Sequence, residues 1–95
     1  MSDEDKPVTL DLTSFELEQL LGLFIGILSE KTWQYMGLRL TPGKSEVAKD
    51  MVKARKAIDC VSYLTDVLAP SVPAEALSRY RSSLADLQLN YVSQS

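Results

Sequence analysis

The segment from Leu12 to Met36 carries more large apolar side chains than one face of a helix can hold. Thr13 is placed to cap a helix, and Glu16 follows at the spacing of a capping box. The sequence therefore predicts a helix from Ser14 to Met36. Its apolar residues would cover well over the usual third of the circumference: Leu17, Leu20, Leu21, Leu23, Phe24, Ile25, Ile27 and Leu28. A neighbouring surface must cover the excess, so this feature points to assembly.

Two further helices are predicted downstream. Gly37 is a candidate left-handed stop for the first helix, and residues 41–44 (Thr-Pro-Gly-Lys) form a turn signal. Ser45 is placed to cap a second helix, which must end before Pro70. Its two apolar stripes indicate neighbours on two sides, so we expect it at the centre. Pro73 suits the first position of a third helix, whose stripe repeats at threes and fours: Leu77, Tyr80, Leu84, Leu87 and Tyr91.

Length and composition limit the class of protein. A chain of 95 residues with 45% hydrophobic and 24% charged residues is one ordinary globular domain. We expect an extended or disordered acidic tail at 1–12, one helical domain at 13–92 and a frayed end at 93–95. Whether residues 8–12 pair as a strand with residues 38–40 is left open. The single Cys60, the acidic N-terminus and the lack of a long apolar run predict a cytoplasmic protein.

The lengths of the helices favour an open arrangement. The first two would each be roughly 35 Å long, which a compact globule of this size hardly accommodates. We therefore predict an all-α fold, a three-helix antiparallel array closed by dimerisation. Gly22 and Gly26 lie one turn apart and would let another backbone approach closely. The expected oligomer interface lies on the first helix and comprises Leu21, Gly22, Phe24, Ile25, Gly26, Leu28 and Trp33.

A set of turn and packing residues resembles a known pattern. It comprises Trp33, Gly37-Leu38, Pro42-Gly43, Ala57-Ile58-Asp59, Leu64, Leu84, Leu87 and Asn90-Tyr91-Val92. In order and spacing these residues resemble the small bacterial family known as domain of unknown function 1844, over roughly residues 14–92. The chain departs from that pattern at Lys44 and at residues 72–75 (Val-Pro-Ala-Glu). The resemblance implies an all-helical fold and no particular activity, because that family is uncharacterised.

The side-chain inventory argues against catalysis. The chain has no histidine, which removes the commonest general base and metal ligand near neutral pH. We predict no catalytic residue, no cofactor and no metal site. Cys60 lies on an apolar stripe and is expected to be buried. Asp59 is either an exposed ion-pair partner of Arg55 or a polar anchor for a loop or a partner chain.

Three functions remain open. The leading hypothesis is a non-enzymatic, homo-oligomeric interaction or assembly module. The alternative is a nucleic-acid-associated protein that uses a lysine face of the second helix, formed by Lys49, Lys53 and Lys56. The net charge of −3 argues against broad attraction to nucleic acid. The third hypothesis is peripheral membrane association through the first helix, although basic flanking residues are lacking.

Overall fold

The computed structural model describes residues 11–95, and these fold into three helices. Helix α1 spans Leu17–Tyr35, α2 spans Met51–Leu68 and α3 spans Ala74–Gln94. Residues 11–95 contain no strand, so the all-α prediction is confirmed. Residues 38–40, the candidate strand partner of residues 8–12, are therefore not in a strand. Most of the predicted tail, with its Val8 and Leu10, lies outside the described residues.

The start of α1 differs from the prediction. Thr13 lies in a separate turn of 3-10 helix at Leu12–Ser14, where its amide donates to Asp11 Oδ1 at 3.1 Å. The carboxylate of Asp11 thus takes the capping role, because it accepts from both the amide and the hydroxyl of Thr13. Helix α1 begins three residues later than predicted. Its N-cap is Glu16, whose amide donates to the side chain of Gln19 at 2.9 Å.

The end of α1 agrees with the prediction. The Gly37 backbone is left-handed (φ 77°), its amide donates to Gln34, and the Leu38 amide donates to the Trp33 carbonyl at 3.0 Å. These two bonds make a Schellman motif, which satisfies carbonyls that the last helical turn leaves unpaired. The predicted turn at residues 41–44 is also present, with Gly43 at φ 85° and a bond from the Lys44 amide to Thr41.

Helix α2 is shorter at its start than the sequence predicts. Ser45 does not cap it; Asp50 does, and its carboxylate accepts from the Lys53 amide at 3.1 Å. The Asp50 amide donates to the Tyr35 carbonyl at 2.7 Å, which ties the end of the connecting loop to the end of α1. This bond holds Asp50 in place and so sets the residue at which helix α2 begins. Residues 45–50 therefore remain in the loop.

Helix α2 is the central element, as predicted, because α1 and α3 each pack more against it than against one another. The inward face of α2 supplies Ala54, Ile58, Val61, Thr65 and Leu68, all buried. The predicted stripe of α3 faces this surface, with Leu84 and Leu87 buried. Pro73 is the N-cap of α3 rather than its first residue, and the helix extends through Gln94 into the end predicted to fray.

The arrangement is flat. The described chain measures 53 × 40 × 19 Å, with a radius of gyration of 15.9 Å. A compact chain of this length has a radius of gyration of about 12 Å. The two outer helices flank α2 and do not close over one another, which agrees with the open array expected from the sequence. A flat array leaves a large share of helix surface facing solvent.

Candidate interaction surface

Helix α1 has a row of apolar side chains on its solvent side. Leu17, Leu20, Phe24 and Ile27 are spaced by three, four and three residues, so they follow one face of the helix. Leu17 is 60% exposed and Ile27 is 50% exposed, and Phe24 is also exposed. The side chains that hold α1 to α2 lie on another face. The row is therefore additional to the core, and we name these four residues the α1 row.

The apolar surface continues from α1 onto α2. Leu28 lines a shallow groove of about 350 Å³ between the two helices, together with Asp59, Cys60, Tyr63 and Leu64 of α2. Tyr63 is 69% exposed, and Val67, one turn further along α2, is exposed as well. We call the α1 row together with Leu28, Cys60, Tyr63, Leu64 and Val67 the apolar face. It spans two helices, so more than one helix of a partner could contact it.

The structure divides the predicted interface residues between the core and the surface. Phe24 is exposed, whereas Leu21 and Leu28 are half-buried. Ile25 is only 4% exposed and belongs to the core of its own chain, so its assignment to an interface is wrong. Trp33 is half-buried: it packs against the core and lies 5.9 Å below the guanidinium of Arg39. It closes one end of α1.

The two glycines of α1 have different surroundings. A Cβ atom placed on Gly22 would lie 2.8 Å from the hydroxyl of Tyr80 on α3, so this close approach serves a contact within the chain. A Cβ atom on Gly26 would meet nothing within 4 Å. The hypothesis that both glycines admit a partner backbone therefore fails at Gly22. At Gly26 the surface is open.

These surroundings predict opposite responses to alanine. Gly26→Ala should raise the free energy of unfolding by roughly 0.5–1 kcal/mol, since alanine favours a helix and no atom obstructs it. Gly22→Ala should lose that gain, because the Tyr80 hydroxyl must move. Tyr80→Phe removes the hydroxyl and should restore the gain in the double variant. Urea unfolding of Gly26→Ala, Gly22→Ala, Tyr80→Phe and the Gly22→Ala/Tyr80→Phe double variant measures this coupling. Equal effects of alanine on the free energy of unfolding at the two glycines would contradict it.

Cys60 is exposed, which corrects the prediction that it is buried. The stripe on which it lies begins at the buried Ala57 and passes through the half-buried Leu64, but its other members face solvent. Helix α2 buries the neighbouring face against α1 and α3, and the Cys60 side chain lies at the edge of the α1–α2 groove. The thiol thus belongs to the apolar face.

Asp59 forms the exposed ion pair with Arg55, which is one of the two roles predicted for it. Its Oδ2 atom lies 4.0 Å from Nε of Arg55, and both side chains are mostly exposed. An exposed pair of this kind contributes about 0.3–0.5 kcal/mol. Backbone amides of residues 11–95 donate to the side chains of Asp11, Gln19 and Asp50 and not to that of Asp59, so Asp59 does not anchor a loop of its own chain. A role towards a partner chain stays a prediction.

The predicted lysine face is not one surface of α2. Lys49 precedes the helix, and its ammonium group lies 3.5 Å from the carbonyl of Gln94 at the end of α3. Lys53 instead lies 5.8 Å from the ring centroid of Tyr35 on α1. Lys56 is exposed one turn along α2. Lys49 and Lys53 therefore have different neighbours, because Lys49 precedes the helix and Lys53 lies on it.

The described residues offer no evident ligand chemistry. No three Cys, Asp or Glu side chains of residues 11–95 lie close enough together to hold a metal ion. Every buried side-chain nitrogen or oxygen in this range has a hydrogen-bond partner, so none is left aimed at a ligand. None of the helices α1–α3 is both long and apolar enough to cross a membrane.

No protein-family model matches the chain, and no curated protein or solved structure is significantly similar to it. The resemblance to domain of unknown function 1844 therefore stays a prediction. The fold and the surface themselves define a class: an all-α protein of three antiparallel helices in a flat array. The apolar face lies on α1 and α2 of this array.

Proposed function

We propose that this protein is a non-enzymatic assembly module that forms a homodimer through its apolar face. The observation that carries the proposal is the α1 row, in which Leu17, Phe24 and Ile27 are exposed and Leu20 is half-buried although the four have the regular spacing of a helix–helix contact. Isolated exposed apolar residues are common on protein surfaces. A contiguous surface over two helices is typical of interaction sites.

The apolar side chains of this face provide a driving force for association that is comparable in size with its cost. Burying a large apolar side chain completely contributes about 1.5–3 kcal/mol, so each side chain that is already half-covered would add about 1 kcal/mol. The α1 row, Tyr63 and Val67 in two copies would then contribute on the order of 10 kcal/mol before costs. Association itself costs about 4–15 kcal/mol. We therefore expect a dimer that dissociates on dilution rather than a permanent one.

Two other occupants of the face are less well supported. A lipid surface would favour lysines or arginines beside the apolar row, whereas Glu16 and Glu18 lie at its N-terminal end and are exposed. Nucleic acid would need clustered cations, whereas the Lys49 ammonium group lies at the end of α3 and that of Lys53 lies beside Tyr35. A second copy of the chain needs neither feature. Self-association is therefore the function that the surface supports best.

Sedimentation velocity of the purified chain over a hundredfold dilution tests the proposal. At high concentration the expected mass is twice the chain mass of 10.6 kDa, falling towards 10.6 kDa as the sample is diluted. Flotation with anionic liposomes and a shift assay with single-stranded RNA serve as comparisons. A single chain mass at every concentration would refute the proposal, and liposome or RNA binding by that monomer would identify the competing function.

A further inference from the structure

The α1 row has nearly the same spacing in both directions along the helix. Phe24 lies at the middle of the stretch from Leu17 to Lys31, seven residues from each end, with Leu20 four residues before it and Ile27 three residues after it. Lys31 continues the line of the α1 row but is not one of its apolar members. A two-fold dimer places the same patch of each copy against itself. If two reversed copies cross at Phe24, Leu20 of one copy lies level with Leu28 of the other and Ile27 lies level with Leu21, so apolar residues meet on both sides of the crossing. Leu17 lies level with Lys31.

The charges at the two ends of the row differ. The N-terminal end carries Glu16 and Glu18, both exposed. At the C-terminal end Glu30 is paired with Arg39, which leaves Lys31 as the cation without a carboxylate partner among residues 11–95. The Lys31 ammonium group bonds to Gln34 Oε1 at 3.0 Å and is 4.9 Å from the ring centroid of Tyr35. If two rows met in parallel, like charges would lie together at each end. If they met in antiparallel fashion, the glutamates of one copy would lie near Lys31 of the other.

On the basis of the proposed function, we infer that α1 packs against α1 of a second copy in antiparallel orientation, with the two helices crossing at Phe24. Two observations support this arrangement: the apolar residues that lie level with one another on both sides of Phe24, and the opposite charges at the two ends of the row. Antiparallel packing also places the helix dipoles in their favourable relative orientation.

Leu17 and Lys31 distinguish the two orientations by distance. In the antiparallel pair, Leu17 of one copy lies at the level of Lys31 of the other, separated by about the 8–10 Å between helix axes. The two copies of Leu17 are then about 21 Å apart along the axis, at 1.5 Å per residue. In a parallel pair each residue lies opposite its own copy. The two copies of Leu17 are then separated by about 8–10 Å, whereas Leu17 of one copy and Lys31 of the other are about 21 Å apart along the axis.

Cross-linking at these positions tests the orientation. Leu17→Cys and Lys31→Cys are prepared separately in a Cys60→Ser background, which removes the native exposed thiol. Each variant alone, and an equimolar mixture of the two, is treated with a short bis-maleimide at a concentration where sedimentation gives the dimer mass. We expect covalent dimers in the mixture, at least tenfold more than in either variant alone.

The results separate the inference from the proposed function. Efficient cross-linking of either variant with itself would overturn the antiparallel orientation and leave self-association standing. A dimer by sedimentation with little product in all three samples would show that α1 does not pair with α1, which also overturns the inference. A monomer by sedimentation for the Cys60→Ser parent would instead refute the proposed function itself.

Discussion

Phe24→Glu is expected to convert the dimer into a monomer. Phe24 belongs to the α1 row and lies where the two helices are expected to cross, so the change would place two carboxylates where two aromatic rings are expected to meet. Burying unpaired charges is strongly unfavourable, and their repulsion adds to the cost. We expect the dissociation constant to rise at least about 100-fold, or roughly 2.8 kcal/mol. Sedimentation equilibrium measures this change directly.

Two control variants make the Phe24→Glu result specific. Phe24→Leu keeps an apolar side chain and should retain most of the association. Val92→Glu introduces the same charge at a well-exposed position of α3, outside the apolar face, and should leave the dissociation constant unchanged. Circular dichroism checks that each variant keeps its helices. If Phe24→Glu stayed dimeric at the wild-type concentration, the α1 row would not be the interface.

Leu87→Ala is expected to cause the largest loss of stability. Leu87 is 0% exposed and lies where α3 meets the core. Truncating a buried leucine removes its transfer free energy and leaves a cavity, which together cost about 2–5 kcal/mol. Small domains have a total stability of about 5–15 kcal/mol. Urea unfolding followed by circular dichroism should therefore show a greatly lowered midpoint.

Leu89→Ala is the matched control for Leu87→Ala. It is the same substitution on the same helix, but Leu89 is 68% exposed. Substitutions at such positions usually change stability by no more than about 0.5 kcal/mol. A similar loss for both variants would mean that α3 does not pack on α2 through the face described here. Both variants should be measured at a protein concentration where they share one oligomeric state.

Local signals in the sequence were sufficient for the three helices and for the end of α1. Gly37 adopts the left-handed conformation because glycine has no Cβ to oppose it. Tyr80, Leu84 and Leu87 recur at helical spacing and do face the core. These predictions succeeded because each depends on neighbours within a few residues. The starts of α1 and α2 depend on a choice among several capping residues, and there the prediction was wrong.

Which face of each helix points into the core could not be predicted from the sequence in the same way. Apolar residues surround much of α1, so periodicity does not tell which of Phe24 and Ile25 points inward. In the structure Ile25 enters the core and Phe24 does not. Cys60 was misplaced for a related reason, since a central helix has two neighbours and its outer edge still carries small apolar residues. Only the packed arrangement decides these positions.

The tight contact at Gly22 was also beyond sequence analysis. Its neighbour Tyr80 belongs to α3, far along the chain, and no local pattern links the two. The divergence of Lys49 from Lys53 has a similar origin. It follows from the bond between Asp50 and Tyr35, which delays the start of α2 and leaves Lys49 in the loop.

The 19 Å thickness of the array has a consequence for how the protein holds together. A sheet of helices this thin has almost no residue far from water, so its interior is a single layer shared by three segments. Removing either outer helix would expose buried side chains of α2 to solvent. The segments should therefore melt as one cooperative unit, and no stable two-helix fragment is expected.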